Sequence, residues 1–251
     1  MLIKDISAVV LAKNNDNTIR KTLQSLIDFE DVVVYDNGSV DKTMNIAKEF
    51  GNVNLIEGEF KGFGWTKNQA VTFTKNEWVI IIDSDEVIDP ILLDTLKTKE
   101  LDKYTVYQLN FKAFYKDIQV KYCGWNNQKI KRMYNKISTS YNMNDVHEDI
   151  ISDNFNIELL DGNVEHYSYH TISQFVIKAD HYSTLFAKNN VGKKSSSPLK
   201  AILNGMYSFI KTYIFKRGFL DGYVGLIISF SHMVTNFYKY IKLYELNKEN
   251  R

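Results

Sequence analysis

The chain has 251 residues, enough for one large domain or for one domain with an appendage. Its single cysteine, Cys123, excludes an internal disulfide framework and a multi-cysteine zinc site, so a reducing compartment is the default. A formal net charge of +1 conceals an uneven split, since residues 176–251 carry 12 Lys and Arg against 4 Asp and Glu, leaving 19 against 26 of the totals of 31 and 30. The front is therefore acidic and suited to a cation, and the basic tail is suited to an anionic partner or is simply a solvated face. With basic residues confined to the tail, no nucleic-acid partner is expected.

The N-terminal residues have too short an apolar run for a signal peptide and read as a first strand, "ISAVVLA" (6–12). An Asn-rich turn leads into a helix with Ile19, Leu23, Leu26 and Ile27 on one face. "DVVVYD" (31–36) is the second strand. "NGSVDKT" turns into a helix with Ser39 as the expected N-cap and Asp41 in its first turn. A third strand follows at 53–58, a third helix at 65–75 and a fourth strand, "EWVIIID", at 77–83. Continuous apolar strands alternating with helices predict an α/β sandwich with a mostly parallel central sheet, whose ligands sit beyond the carboxyl ends of the strands. Asp36 and Asp83 end two such strands.

After Pro90 a short helix (92–96) precedes three strand-like segments at 104–114, 118–123 and 130–134. A helical stripe returns with Ile172, Phe175, Val176, Ala179, Ser183 and Phe186, and "NNVGKKSSSP" (189–198) reads as a linker. Two regions are thus expected, 1–190 and a basic, aromatic helical extension, 191–251. The longest uncharged stretch of that extension, Gly222 to Tyr238, lies at the lower edge of the roughly 17–25 residues a membrane span needs. Lysines spaced among Tyr and Phe suit a helical pair lying in the interface of an anionic bilayer. Packing on the domain, or on a second copy in a homo-oligomer, is the alternative.

The chemistry concentrates in "WVIIIDSDEVIDP" (78–90), where five apolar residues end in Asp83, Ser84, Asp85 and Glu86. Carboxylates this close repel one another unless a cation offsets them. Asp-x-Asp is common in loops, yet at the end of a buried strand it is placed to hold Mg²⁺ or Mn²⁺ together with substrate phosphates. The Gly-x-Gly of "GFGWTKNQA" lacks the third glycine of a dinucleotide fingerprint. Cys123 reads as a buried small residue with no thiolate activation.

In order along nearly the whole chain, the segments "SAVVLAKNNDNTIRKTLQSL", "VVVYDNGSVDKTMNIAKEFG", "FKGFGWTKNQAV", "WVIIIDSDEVI", "CGWNNQKIKRMYN", "VHE", "HYSYHTISQFVIKADHYST" and "KTYIFKRGFLDGYVGL" resemble family 2 glycosyltransferases of the GT-A fold. "HYSY" and "KRGFLDG" are similar to the lipopolysaccharide-core β-glucosyltransferases of Gram-negative bacteria in particular. Val40 departs from the small polar residue usual at its place. The resemblance implies that Ala12, Lys13, Asn14 and Asp36 hold the uracil and ribose of a UDP-sugar, with Lys67, Asn68 and Ser84 also at the nucleotide. It implies that Asp83 meets the ribose or the metal-bound diphosphate, that Asp85 ligates the metal, and that His166 either joins them or is a buried, hydrogen-bonded histidine. Of Asp145, Glu148 and Asp149, Glu148 is the expected base that deprotonates the acceptor hydroxyl, with Asp149 next, while His147 orients its neighbour. Trp125 is either a stacking platform for an acceptor sugar or core packing. Lys131 and Arg132 alternate along a strand, so one of them faces the cleft and binds diphosphate or a phosphorylated acceptor.

The implied activity is an inverting, metal-dependent transfer of a hexose, glucose from UDP-glucose foremost, to a lipid-linked glycan such as the lipopolysaccharide inner core. The implied place is peripheral, at the cytoplasmic face of the inner membrane. The alternatives are a polyprenyl-linked or protein-linked glycan as acceptor, or a non-catalytic sugar-nucleotide-binding protein at the membrane.

Overall fold

A computed structural model of the chain describes residues 3–144 and 148–250, so Asp145 and His147 lie outside the described residues. Two compact units emerge, residues up to 111 together with 127–166, and residues 112–126 together with the chain from 167 onward.

The first unit is built on β1 (Ile6–Ala12), β2 (Asp31–Asp36), β3 (Val53–Glu57) and β4 (Trp78–Asp83), parallel neighbours in the order β3-β2-β1-β4. Every residue of β1 and β2 is buried, as expected of strands covered on both faces. Alternate residues feed two layers. Ala8, Val10, Val34, Ile80 and Ile82 pack with Ile19, Leu23 and Leu26 of the segment containing α1 (Ile19–Ser25). Val9, Val33, Val79 and Ile81 pack on the other face with Ala70 and Val71 of α3 (Phe63–Val71), which follows the short α2 (Thr43–Ala47). α4 (Pro90–Thr98) adds Leu92 and Leu96 to the first layer and opens on an Asp89 cap, whose side chain accepts from the Leu92 N–H, with Pro90 in the first turn. The fold is thus the expected α/β arrangement around a central sheet that is parallel through its core.

The remaining strands are β5 (Glu86–Ile88), β6 (Thr105–Tyr115), β7 (Ile118–Val120), β8 (Gln128–Asn135), β9 (Asn156–Leu159) and β10 (Val164–Tyr169). β8 runs antiparallel between β4 and β6, and β5 pairs antiparallel with the start of β10, setting His166 opposite Glu86. β9, absent from the sequence reading, is exposed along its length and exists because it adds to the edge of β6. Ile27 falls beyond α1 and is exposed, which trims the expected apolar face by one. Ser39 does not cap α2; its hydroxyl is claimed by Asp36 and by the Asn14 N–H, and the helix starts only after Lys42.

In the second unit, α5 (Ile172–Asn190) opens on a capping box in which Thr171 and Gln174 satisfy each other's backbone N–H. Its buried seam is Phe175, Ala179, Ser183 and Ala187, while Ile172 and Val176, expected on the same face, are exposed. α6 (Pro198–Ile210), capped by Ser197, and α7 (Gly222–Glu249) run antiparallel, tied by the Asn236 amide donating to Ser208 and by Ser196 donating to the Tyr240 carbonyl. α5 packs against α7 as well, with Lys242 reaching Asp180 and Thr184, so it groups with the helices beyond residue 190 and with residues 112–126 and 167–171. The "KRGFLDG" segment is a structural joint. Asp221 accepts from the Lys121 and Tyr122 N–H groups, and a Cβ on Gly225 would lie 1.8 Å from the Gly218 carbonyl oxygen. Leu199, Leu203, Met206, Tyr207, Phe215 and Tyr223 are each more than half exposed. Among the described residues no helix is long and apolar enough to cross a membrane.

Candidate active site

The carboxyl ends of β1, β2 and β4 converge in the first unit, where Ala12 pairs in register with Asp36 and Leu11 with Asp83. The loops beyond β1 and β2 are stitched together. Asn14, in the left-handed region at φ 55°, accepts from the Val40 N–H at 2.8 Å and donates its own N–H to Ser39, while Asp16 N–H donates to Asp41. Asp36 is fully buried, with one oxygen accepting from the N–H groups of Gly38 and Ser39 and the other from the Ser39 hydroxyl. These bonds shape the loop beyond β2. Ala12 is buried, and Lys13 and Asn14 are exposed on that loop.

At the tip of β4 the repulsion among carboxylates is met by a guanidinium. Arg132 of β8 is almost wholly buried, and its Nη2 donates to Asp83 Oδ2 at 2.9 Å and to Glu86 Oε1 at 2.8 Å. Glu86 closes the turn by accepting from the Asp83 N–H at 2.7 Å. Of the alternating pair, Arg132 thus faces the acidic tip. Lys131 serves another segment, its ammonium pairing with Asp149 at 2.5 Å and donating to the Ile150 carbonyl and the Ser152 hydroxyl. Burial works against the charge on Asp83, but Arg132, then Lys67, outweigh it and hold the carboxyl far below the usual range. Burial, reinforced by Asp83 and Asp85, pushes Glu86 up to about 7 despite Arg132. The Arg132 Nε and Nη1 atoms are buried without a hydrogen-bond partner.

Ser84 is buried in the same turn, its carbonyl accepting from the Thr22 hydroxyl at 3.0 Å. Asp85 turns to β10, where its Oδ2 lies 3.4 Å from His166 Nε2, both side chains partly exposed. Burial pulls the imidazole pKa down, but the Asp85 hydrogen bond and the neighbouring carboxylates raise it to about 9. Two of the three expected metal ligands therefore meet. The third, Asp83, is drawn to Arg132, and among the described residues no three His, Cys, Asp or Glu side chains are grouped as a metal shell.

Helix α3 holds the expected base. Lys67, buried, forms an ion pair with Glu148 at 2.6 Å and lies 5.0 Å from the centroid of the Tyr141 ring. The Asn68 side-chain amide donates to the Tyr141 carbonyl and accepts from the Tyr141 N–H, both at 2.9 Å. Gly64 likewise serves packing, since a Cβ there would lie 2.0 Å from the Asn142 carbonyl oxygen. Asp149 accepts from its neighbour's N–H at Ile150 besides pairing with Lys131. Trp125 belongs to the second unit, stacked at 5.4 Å on Tyr169 and 6.2 Å from Phe175. Sequence reasoning missed the partnership of Arg132 with Glu86 and that of Lys67 with Glu148. Only the bare positions of the acids hinted at either, because the partners lie 46 and 81 residues away.

The family model described as "Glycosyl transferase family 2" matches residues 7–152. An uncharacterized glycosyltransferase of Rickettsia typhi is 30% identical over 264 residues, covering 99% of this chain and 90% of the relative. A putative glycosyltransferase of Bacillus subtilis, EpsH, is 26% identical over 45% of this chain and 35% of its own length. Among solved structures, S. aureus TarS 1–349 in complex with UDP-GlcNAc is 14% identical, covering 98% of this chain and 91% of that one at a TM-score of 0.46. Glucosyl-3-phosphoglycerate synthase from Mycobacterium tuberculosis, in complex with Mn²⁺ and UDP-glucose, is 25% identical over 45% of this chain and 44% of that one, at a TM-score of 0.34. Neither superposition assigns a residue of this chain.

Proposed function

The chain belongs to glycosyl transferase family 2, and on that premise we propose that this glycosyltransferase moves a hexose, glucose from UDP-glucose foremost, onto a lipid-linked glycan such as the lipopolysaccharide inner core. The observation that carries the reading is the acidic tip of β4, set at the carboxyl ends of the parallel strands with Asp85 and His166 partly exposed and 3.4 Å apart. Once the imidazole gives up its proton, that carboxylate oxygen and ring nitrogen, together with the diphosphate of a donor, form a donor set that Mg²⁺ or Mn²⁺ accepts. When bound there, such a cation offsets the charge gathering on the departing nucleotide. Asp85 and His166 would hold it, with Asp83 and Glu86 the neighbouring carboxylates.

The chain's own groups do the rest. Arg132 fixes Asp83 and keeps two donor nitrogens, Nε and Nη1, unspent. Inversion needs a carboxylate that takes the proton from the acceptor hydroxyl as its oxygen attacks. Glu148 is the base in this reading, held in one orientation by the Lys67 ion pair. Asp149 is the second candidate, already committed to Lys131 and the Ile150 N–H. The apolar side chains exposed along α6 and its following turns, with Lys200, Lys211, Lys216 and Arg217 among them, favour a peripheral seat on an anionic surface, the cytoplasmic face of the inner membrane.

The test is release of UDP from a panel of UDP-hexoses with lipooligosaccharide, polyprenyl-linked or protein-linked acceptors. Glu148→Gln is expected to lower kcat by about 10²- to 10⁴-fold, the range of a general base, and Asp85→Ala to abolish metal-stimulated turnover. Full activity in both variants would refute the site, and a drop confined to Asp149→Asn would move the base by one residue. For the membrane seat, flotation with anionic liposomes should fail for a chain ending at Ser197; undiminished flotation removes that part of the reading.

A further inference from the structure

The second unit contains a cavity of about 260 Å³ between α5, α7 and the loop carrying Trp125. We propose that this cavity binds one anionic sugar residue, a hexose bearing a phosphate or a carboxylate, as part of the acceptor glycan.

Four features of the lining select that class. Trp125 and Tyr169 line one wall, with the buried Phe175 stacked behind Tyr169 at 4.0 Å, and a flat indole such as that of Trp125 matches the C–H face of a pyranose. Lys178 and Lys239 line the same space, and among the described residues no Asp or Glu does. Lys178 sits 4.1 Å from the Tyr169 ring centroid, which places its charge beside the stacking surface. Lys239 is half-buried, and that burial lowers its ammonium pKa; its ring contact is with Phe186 at 5.5 Å. An anion entering the cavity would meet both cations where water competes poorly.

The polar side of the lining suits hydroxyl groups. His232 shares Nδ1 with the Thr212 hydroxyl at 3.2 Å, leaving its other ring nitrogen for a further bond. Burial, then the charges of Lys216 and Lys239, bring its pKa down to about 4, so at neutral pH the ring is uncharged and adds no third cation. Size sets the limit. The volume lies below the roughly 300–1,000 Å³ that drug-sized ligands fill, so it takes a single sugar ring and not a nucleotide sugar. Its lysines make it a poor acyl-chain site.

That the sugar belongs to the acceptor rests on the function proposed above; the preference for a charged sugar does not. The test uses the full chain with glucose 6-phosphate, glucuronic acid, glucose and inorganic phosphate, read by saturation-transfer NMR and calorimetry. One or both charged sugars should bind at least tenfold tighter than glucose or phosphate, and the two arms tell phosphate from carboxylate. Lys239→Met and Lys178→Met should each weaken that binding at least tenfold and leave UDP binding unchanged, while Lys239→Arg keeps it within about threefold. Melting temperatures confirm that the variants are folded. Charged sugars binding no better than glucose, phosphate alone binding as well as the sugar phosphate, or both methionine variants behaving as wild type would each overturn the proposal. Charged-sugar binding that persists while UDP fails to bind would count against the donor site and support the cavity.

Discussion

Replacing Arg132 by Met removes the cation that makes the tip of β4 tolerable, and the cost can be worked from its contacts. The guanidinium bonds Asp83 at 2.9 Å and Glu86 at 2.8 Å. Breaking a buried ion pair by deleting one partner costs about 3–5 kcal/mol, because a buried charge is left uncompensated. Glu86 can escape by taking a proton. Its folded pKa already stands at about 7, and burial together with Asp83 and Asp85 raises it, while Arg132 holds it down. Losing Arg132 therefore moves it higher still. The sign follows: a carboxyl whose folded pKa is raised destabilises the fold increasingly as pH rises from its ordinary value to the folded pKa, and fully above that. Each further pK unit in the variant adds about 1.4 kcal/mol to the penalty at high pH. Urea unfolding of wild type and Arg132→Met at pH 6 and pH 9 should show a larger loss at pH 9, by about 1–2 kcal/mol, with an Asp83 share present at both. Adding Glu86→Gln should recover the pH-dependent part. A loss below about 1 kcal/mol at both pH values, or one larger at pH 6, would refute this account of the tip.

Gly64→Ala should displace residues 141–144, because its Cβ would fall 2.0 Å from the Asn142 carbonyl oxygen. Overpacking of this kind costs about 1–3 kcal/mol, a fall of about 2–12 °C in Tm for a chain this long, and kcat should fall with it; an unchanged Tm would mean that the segment moves freely. Cys123 is fully buried and burial pushes its thiol up to about 12, so iodoacetamide at pH 8 should label it only in denaturant, and rapid labelling of the native chain would contradict its place in the core.

The parallel core was legible because β1, β2 and β4 are continuous apolar runs, a pattern that only strands covered on both faces can use. Asp83 and Asp85 stood out for the same reason, as charges ending such a run. What the pattern hid was long-range and polar. The excess of negative charge called for a cation, and the sequence could not say that Arg132 supplies it from β8. Asn68 and Gly64 look like ligand-binding residues in a glycine-containing turn, yet both are used by residues 141–142, far off in sequence. In α5 the apolar count pointed to Ile172 and Val176. The seam instead uses Ala179, Ser183 and Ala187, whose small side chains let α7 approach closely. β9 has no periodic signal, since it depends on a partner edge and not on its own residues.

Gly64, Lys67 and Asn68 lie at i, i+3 and i+4, on one side of a nine-residue helix, and between them they grip Asn142, Glu148 and Tyr141. Inserting or deleting one residue in α3 ahead of that trio would turn all of it by about 100°, so the three holds are lost together or kept together. The two stretches are therefore a single heritable module. A chimera that takes 63–71 from one relative and 141–150 from another should lose turnover even when each parent is active, and exchanging both at once should restore it.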